Sequence, residues 1–251
     1  MKDKSDKYYT KKQTIFDLPM RLLIVGKSQL SGKTNLVANL LLDPNGVFYK
    51  NDFNGEDIII VSSTATTDNK MKKVIKLLDI PATNVMTSYD EDILDGIYSM
   101  LEHDYREAVD NQRKPTPKLI LLDDMSFGGQ LKGKTHGIIA KLFCNGRHIN
   151  VSTIVTSQKY TDILTTCREN ATGLILFNCT DKQIELISDD HNYLESKKDF
   201  KRMFRDATNQ KHSFMVVNYT NNPSERYLDK NFKPLKHQPV SGESDCGCKD
   251  K

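Results

Sequence analysis

The apolar residues of this chain fall into short continuous runs, and the stretches between the runs have helical spacing. Runs that are apolar throughout are typical of strands buried on both faces of a sheet. The runs predict strands at 22–25, 58–61, 84–87, 119–122, 151–156, 173–177 and 214–217. Helices are predicted at 34–42, 70–78, 92–111, 137–144, 182–188 and 194–207.

This alternation predicts an α/β fold with a mostly parallel central sheet that is covered by helices on both sides. Residues 1–14 are polar and rich in lysine, and we expect a flexible leader there. A single domain is predicted over residues 15–219. From residue 220 to residue 251, proline, lysine, serine and glycine dominate, which predicts a polar, flexible C-terminal tail.

Composition narrows the class of protein. The chain has 251 residues, of which 37% are hydrophobic and 27% charged, as in globular proteins. No apolar run approaches the roughly 20 residues of a transmembrane helix, and the N-terminus has no apolar segment. We therefore expect neither a membrane span nor a secretion signal. A net charge of +3 neither requires nor excludes a nucleic-acid partner.

The five cysteines fit a reducing, intracellular compartment. Cys144, Cys167 and Cys179 have no metal-ligand spacing, and we expect free thiols there. Cys246 and Cys248 could bind a soft metal, but no second pair of ligands accompanies them in the tail.

A candidate phosphate-binding loop follows the first predicted strand and opens the first predicted helix, which is the context that a P-loop requires. Glycine lets the backbone approach a phosphate, and N–H groups at a helix N-terminus point at the anion. A lysine ammonium pairs with the β- and γ-phosphates of a nucleotide, and a threonine hydroxyl is a ligand for Mg²⁺. The ATP-binding candidates are Gly26, Lys27, Ser28, Gln29, Leu30, Ser31, Gly32, Lys33, Thr34 and Asn35.

The spacing of this loop departs from the usual motif. The segment between Gly26 and Gly32 is one residue longer, and Lys27 stands where the first glycine of the motif would be. Lys33 and Thr34 match the motif in place and type. The alternative interpretation is a chance Gly-Lys-Thr at a helix start.

Polar residues also end two of the later strands. Asp123 and Asp124 directly follow the strand at 119–122. We expect Asp123 to bind Mg²⁺ together with Thr34, because this hard cation prefers oxygen ligands. Asp124 is placed to polarise an attacking water. Gln158 ends the next strand and could orient that water or sense the γ-phosphate. The alternative interpretation is an ordinary strand end capped by the two aspartates and a surface glutamine at position 158.

These segments resemble the FtsK/HerA superfamily of DNA-pumping ATPases, and within it the genome-packaging ATPases of poxviruses and related large DNA viruses. The resemblance extends from about residue 20 to residue 180. It rests on Gly-Lys-Thr at 32–34, Leu-Ile-Leu-Leu-Asp-Asp at 119–124, Asn-Gly-Arg-His at 145–148, Ser-Thr-Ile-Val-Thr-Ser-Gln at 152–158, Arg-Glu-Asn-Ala at 168–171 and Leu-Ile-Leu-Phe at 174–177.

The resemblance implies a P-loop NTPase fold of the RecA-like (ASCE) type. The strand at 151–156 would then lie between the strand at 22–25 and the strand at 119–122. It further implies ATP and Mg²⁺ as cofactors, and a homo-oligomeric, hexamer-like ring that moves double-stranded viral DNA into a capsid. A capsid or portal-vertex protein would be a partner. The expected location is the host-cell cytoplasm at the site of virus assembly, with the virion as a second location.

The resemblance also assigns two arginines. Arg147 matches an arginine that completes the catalytic site of the neighbouring subunit in the superfamily. Arg168 is a second catalytic candidate, as a sensor near the same interface, and the alternative for it is a structural ion pair. Lys132 and Lys134, in a glycine-rich loop, are candidates for contact with the DNA backbone, and the alternative for them is a solvated connection.

Two other classes of function stay open. One is a different DNA-associated P-loop ATPase, helicase-like or of the partition type. The other is a nucleotide-dependent assembly switch with little turnover. The combination of Asp124, Gln158 and Arg147 favours hydrolysis by an oligomer over a passive switch.

Overall fold

The computed structural model describes residues 15–27, 31–43, 48–124 and 137–236. In these ranges one central sheet has eight strands. They are β1 (Arg21–Val25), β2 (Ile58–Ser62), β3 (Val85–Met86), β4 (Lys118–Asp123), β5 (Val151–Ser157), β6 (Gly173–Phe177), β7 (Phe214–Asn218) and β8 (Tyr227–Leu228). Their order across the sheet is β3-β2-β4-β5-β1-β6-β7-β8. Strands β1 to β6 run parallel, whereas β7 is antiparallel to β6 and β8 to β7.

Helices cover both faces of the sheet. Alternate residues of each strand point to opposite faces, so the apolar side chains of a strand are buried under helices on both sides. The helices are α1 (Lys33–Leu42), α2 (Asn69–Leu77), α3 (Glu91–Asp110), α4 (Ile138–Asn145), α5 (Thr165–Asn170), α6 (Asp181–His191) and α7 (Lys197–Ala207). Leu22 and Ile24 of β1 pack in the core beneath α1 and α2. Leu23 and Val25 pack in the second core, to which α3 to α7 contribute. No helix in the described ranges is long and apolar enough to cross a membrane.

The predicted fold class is confirmed, including the place of the strand that begins at Val151. Strand β5 lies between β1 and β4, with Val25 opposite Ser157 and Leu122 opposite Val155. Because these three strands are parallel, the residues that follow them meet at one edge of the sheet, which we call the carboxyl edge.

Helices α7 and α5 differ from the predicted ones. Helix α7 begins at Lys197, later than the predicted 194, because the Ser196 side chain accepts a hydrogen bond from the Asp199 N–H and caps the helix. Helix α5 was not predicted, since its sequence is polar and only Cys167 in it is buried.

The sheet also continues past the predicted domain end at residue 219. Tyr227 and Leu228 form β8, are 6% and 2% exposed, and pair with β7. The preceding Arg226 lies over the Tyr193 ring, with its Cζ 3.9 Å from the ring centroid. These residues therefore belong to the sheet rather than to the tail predicted from residue 220. The predicted leader at 1–14 lies outside the described residues.

Candidate nucleotide-binding site

The predicted phosphate loop lies between β1 and α1 at the carboxyl edge. Gly32 directly precedes α1, and its φ of 88° and ψ of 26° place it in the left-handed region that favours glycine. Its carbonyl oxygen accepts a hydrogen bond of 2.9 Å from the Leu36 N–H and so starts the helix. The N–H groups at the N-terminus of α1, and the positive end of its dipole, can therefore face an anion.

Lys33 is a buried cation beside this loop, with only 8% of the residue exposed. Its Nζ donates a hydrogen bond of 2.7 Å to the carbonyl oxygen of Gly26. Burial lowers the pKa of the Lys33 ammonium, and the carboxylates of Asp124 and Asp123 oppose this shift. The ammonium thus lies near both the loop and the acidic pair, where it can pair with β- and γ-phosphates.

The start of the loop packs against the ends of β5 and β6. The Gly26 N–H donates a hydrogen bond of 3.0 Å to the carbonyl oxygen of Ser157. A Cβ atom at Gly26 would lie 2.6 Å from the Cβ of Ser31 and 2.9 Å from the Cβ of Phe177, so the close approach requires glycine. The Ser31 hydroxyl donates a hydrogen bond of 2.7 Å to the carbonyl oxygen of Lys27, which draws the two ends of the loop together.

Asp123 is the last residue of β4 and is 2% exposed. Its Oδ1 accepts a hydrogen bond of 2.7 Å from the Thr156 hydroxyl, and its Oδ2 accepts one of 3.2 Å from the Ser62 hydroxyl. Burial raises the pKa of Asp123, and these two hydrogen bonds oppose the shift. A carboxylate has acceptor capacity beyond two bonds, and Thr34 in the first turn of α1 adds a hydroxyl. This set of hard oxygen ligands fits Mg²⁺.

Asp124 contacts the predicted sensor residue directly. The Oδ1 of Asp124 accepts a hydrogen bond of 2.9 Å from the Nε2 of Gln158. The Asp124 backbone has a φ of 54°, and its N–H donates a hydrogen bond of 2.8 Å to the Thr156 hydroxyl. The structure therefore brings together a carboxylate and an amide, whose remaining oxygen atoms can both accept hydrogen bonds from one water molecule.

Two hydroxyl groups that the sequence analysis missed organise the acidic pair. Thr156 connects the two aspartates, because its hydroxyl donates to Asp123 and accepts from the Asp124 N–H. Ser62 is the register partner of Asp123 across β2 and β4, and it is fully buried. Both are polar residues near the carboxyl end of a buried strand, which is the signal that could have identified them.

Arg147 lies at the opposite edge of the sheet, which we call the amino edge. It belongs to a 3₁₀ turn, Gly146–Ile149, that precedes β5, whereas Gln158 follows β5. The seven residues of β5 span about 23 Å at ~3.3 Å per residue. Arg147 is exposed, and its Nε donates a hydrogen bond of 3.4 Å to the Nε2 of His148. The sheet thus separates Arg147 from the phosphate loop of its own chain.

Arg168 forms an ion pair within its own chain. Its guanidinium pairs with Asp190 and donates a hydrogen bond of 2.9 Å to the Thr165 hydroxyl. The guanidinium carbon lies 5.0 Å from the centroid of the Tyr160 ring, and 12% of the side chain is exposed. The structure therefore does not bring Arg168 to the phosphate loop. The remaining site candidates Ser28, Gln29, Leu30, Lys132 and Lys134 lie outside the described residues.

The described residues on the side of β6 and β7 form two cavities that adjoin the phosphate loop. One has a volume of about 420 Å³, and its lining includes Asn35 and Asn39 of α1. The other has a volume of about 400 Å³, and Lys27 contributes to its lining. His212 borders both cavities, with its Nδ1 3.4 Å from the carbonyl oxygen of Ser31.

A mostly parallel sheet in which β5 separates β1 from β4, with a phosphate loop after β1 and two carboxylates after β4, defines the class of protein. It is a P-loop ATPase. The chain belongs to the Poxvirus A32 protein family, whose family model matches residues 7–227. Family and site together identify an ATP-driven motor for packaging a viral genome, as the resemblance of the motifs implies.

Solved structures of similar fold include other ATPases. The DNA-packaging ATPase B204 from Sulfolobus turreted icosahedral virus matches with a TM-score of 0.55 and 16% identity, over 81% of this chain and 94% of that one. The genome-packaging NTPase B204 from Sulfolobus turreted icosahedral virus 2, in complex with AMPPCP, matches with a TM-score of 0.51 and 14% identity, over 80% and 93%. The cytoplasmic domain of the type VII secretion ATPase EccC from Thermomonospora curvata has a TM-score of 0.51 and 14% identity, over 80% and 24%. At these identities the likeness extends to the fold alone. No curated protein matches the chain in sequence.

Proposed function

We propose that the protein is the subunit of a homo-oligomeric ring that hydrolyses ATP with Mg²⁺ and drives double-stranded viral DNA into a capsid. The observation that carries the proposal is the meeting of Lys33, Asp123, Asp124 and Gln158 at the carboxyl edge, beside the loop that ends at Gly32. A cation, a metal-ligating carboxylate, a general base and a water-orienting amide are the groups that phosphoryl transfer to water requires.

The nucleotide is bound by the phosphate loop and the start of α1. Lys33 pairs with the β- and γ-phosphates, and Thr34 and Asp123 would hold Mg²⁺, which when bound neutralises charge on those phosphates. The γ-phosphate is then directed towards Asp124. The nucleoside extends to the other side of the loop, towards the two cavities that His212 borders.

Asp124 and Gln158 act on the attacking water. The carboxylate accepts a proton from the water, and the amide holds the water in line with the γ-phosphate. The hydrogen bond between them supports this assignment, because it places a base and an orienting group 2.9 Å apart before a substrate has to order them.

Arg147 supplies a guanidinium to the site of the neighbouring subunit. Its exposure, and its position at the edge away from its own phosphate loop, support action across an interface. A guanidinium there would stabilise negative charge on the phosphoryl group in the transition state.

The macromolecular partners follow from the function of a packaging motor. Lys132 and Lys134 are proposed to contact the DNA backbone in the ring's pore, and a capsid or portal-vertex protein is proposed to hold the ring. The proposed location is the virus assembly site in the host-cell cytoplasm, and also the virion.

The test is ATP turnover with and without duplex DNA, together with the mass of the assembly. We expect an oligomer whose turnover rises when duplex DNA is added. Stimulation by single-stranded DNA alone would favour the helicase-like alternative. Nucleotide-dependent assembly without turnover would favour the assembly switch, and either result would overturn the packaging motor.

A further inference from the structure

A polar network around a buried tyrosine anchors the chain that follows β5 to helix α6. Tyr160 is fully buried, and its N–H donates a hydrogen bond of 2.8 Å to the Oε1 of Gln183. Its hydroxyl donates a hydrogen bond of 2.7 Å to the Oδ2 of Asp190 and also contacts the Nε2 of His191. All three partners lie on α6. Tyr160 is therefore fixed through both its main chain and its side chain, two residues after Gln158.

The hydrogen-bond directions in this network follow from the donors available. Asp190 accepts from Arg168 and from Tyr160, so the single hydroxyl proton of Tyr160 points at the carboxylate. The Nε2 of His191 then donates to the Tyr160 oxygen, and its Nδ1 accepts from the Tyr219 hydroxyl. Burial lowers the pKa of His191 to about 4, which keeps the imidazole neutral, with one donor and one acceptor, as this order requires.

The link from Tyr160 back to the end of β5 is short and hydrogen-bonded. Only Lys159 separates Tyr160 from Gln158. The Ser157 hydroxyl donates to the Lys159 carbonyl oxygen at 3.0 Å and accepts from the Lys159 N–H at 3.3 Å. Few backbone torsions lie between Tyr160 and Gln158. A displacement of the Tyr160 ring therefore also moves Gln158.

We propose that Tyr160 is a positioning residue for Gln158. Its hydroxyl, held by Asp190 and His191, keeps the Gln158 amide 2.9 Å from the carboxylate of Asp124. The inference rests on the function proposed above, in which Gln158 orients the attacking water.

Arg168 completes the anchor from the other side. Its guanidinium pairs with Asp190 and lies 5.0 Å from the centroid of the Tyr160 ring, so it holds one of the two groups that fix the hydroxyl and also contacts the ring itself. Arg168 thus acts on Gln158 of its own subunit through Tyr160, rather than on a neighbour's nucleotide.

The experiment is a double-mutant cycle in the full-length protein with Tyr160→Phe, which removes the hydroxyl and keeps the ring. We expect kcat for ATP hydrolysis to fall roughly tenfold, because a misplaced catalytic group loses its orientation. The dissociation constant of a fluorescent ATP analogue should change less than about twofold, since the hydroxyl touches none of the phosphate-binding groups that the structure describes. In a Gln158→Ala background the same substitution should lower kcat by less than about twofold, because no amide is left to position.

Tyr227→Phe is the matched control. The Tyr227 hydroxyl is buried in the same cluster, donating at 2.7 Å to the carbonyl oxygen of His191 and accepting at 2.8 Å from the Tyr193 N–H. Its loss should lower Tm about as much as the loss of the Tyr160 hydroxyl does. Turnover should stay at the wild-type value, because Tyr227 has no hydrogen bond to the segment that carries Gln158.

Unchanged kcat in Tyr160→Phe, or the same proportional loss with and without Gln158, would overturn the positioning role. If Gln158→Ala kept wild-type kcat while Lys33→Ala abolished turnover, the role of Gln158 would fail and the positioning role with it. The assignment of the protein as an ATPase would stand in that case.

Discussion

At the scale of single residues, Lys33 is the side chain on which we expect nucleotide chemistry to depend most. Its ammonium is buried between the loop and the two aspartates. We expect Lys33→Ala to reduce ATP turnover by roughly a hundredfold or more, because the charge partner of the transferring phosphoryl group is lost. Tm should change little, since removing the ammonium also removes the cost of burying it.

Lys73→Ala is the control for loss of one positive charge, because Lys73 is exposed on α2. Turnover of that variant should match the wild type. Near-normal turnover in a folded Lys33→Ala protein would contradict the assignment of the phosphate loop.

His191 makes stability depend on pH. Burial lowers the pKa of its imidazole to about 4, from an ordinary value of 6.5. The folded protein therefore takes up the proton less readily than the unfolded chain does. The stability that the neutral imidazole contributes is fully present above pH 6.5. As the pH falls from 6.5 to about 4, the free energy of unfolding decreases by on the order of 3 kcal/mol.

Urea unfolding between pH 7 and pH 4 measures this dependence. The free energy of unfolding of His191→Gln should fall less steeply with decreasing pH than that of the wild type. His148→Gln is the control, because His148 is exposed beside Arg147, and its curve should parallel the wild type. Parallel curves for His191→Gln and the wild type would show that the buried imidazole is not the cause.

At the scale of elements, the strands that carry the site were the easiest to predict. The runs that became β1, β4 and β5 are buried along their length, so hydrophobicity alone reveals them. The residues after them could then be grouped from the topology of parallel sheets, and the structure does bring Lys33, Asp124 and Gln158 to one edge.

Contacts distant in sequence explain what the pattern could not predict. Thr156 and Ser62 look like ordinary strand residues until the sheet places both hydroxyl groups on Asp123. Strand β8 has only two residues, and its sequence is polar on both sides, so its burial depends on β7 and on the ring of Phe200. Such short elements carry no periodicity of their own.

A truncation tests whether β8 belongs to the domain. Ending the chain at Tyr219 removes the buried side chains of Tyr227 and Leu228, and with them β8, one of the two strands that pair with β7. Burial of two such side chains is worth about 4 kcal/mol, so we expect Tm to fall by about 10 °C. Ending the chain at Lys236 should leave Tm close to the full-length value. Equal Tm values for the two truncated proteins would show that β8 does not stabilise the domain.

At the scale of the whole molecule, the candidate site occupies only one edge of the sheet. The groups proposed to bind and activate ATP lie at the carboxyl edge, whereas Arg147 is exposed at the amino edge, beyond the length of β5. A head-to-tail ring can bring such opposite surfaces of neighbouring copies together, since heterologous contacts join two different patches. We therefore expect the arginine to complete a site only in an assembly.

Mixed assemblies test this arrangement. Arg147→Ala should bind ATP with wild-type affinity and hydrolyse it poorly, because a guanidinium supplied by a neighbour acts mainly in the transition state. Lys33→Ala should also be inactive. At an interface between the two variants, the intact loop of one subunit meets the intact arginine of the other. In a random equal mixture about a quarter of the interfaces have this arrangement, so up to about a quarter of wild-type turnover should return if interfaces act independently.

Two controls make the result of mixing decisive. Arg106→Ala, which removes an exposed arginine from α3, should be fully active by itself. Arg168→Ala should be slow and should not recover when mixed with Lys33→Ala, because its ion pair with Asp190 serves its own subunit. If Arg147→Ala also failed to recover, in mixtures shown by mass to contain both variants, the arginine would not act across an interface. Hydrolysis would then require nothing from a neighbour, and the ring would have to be explained by DNA translocation alone.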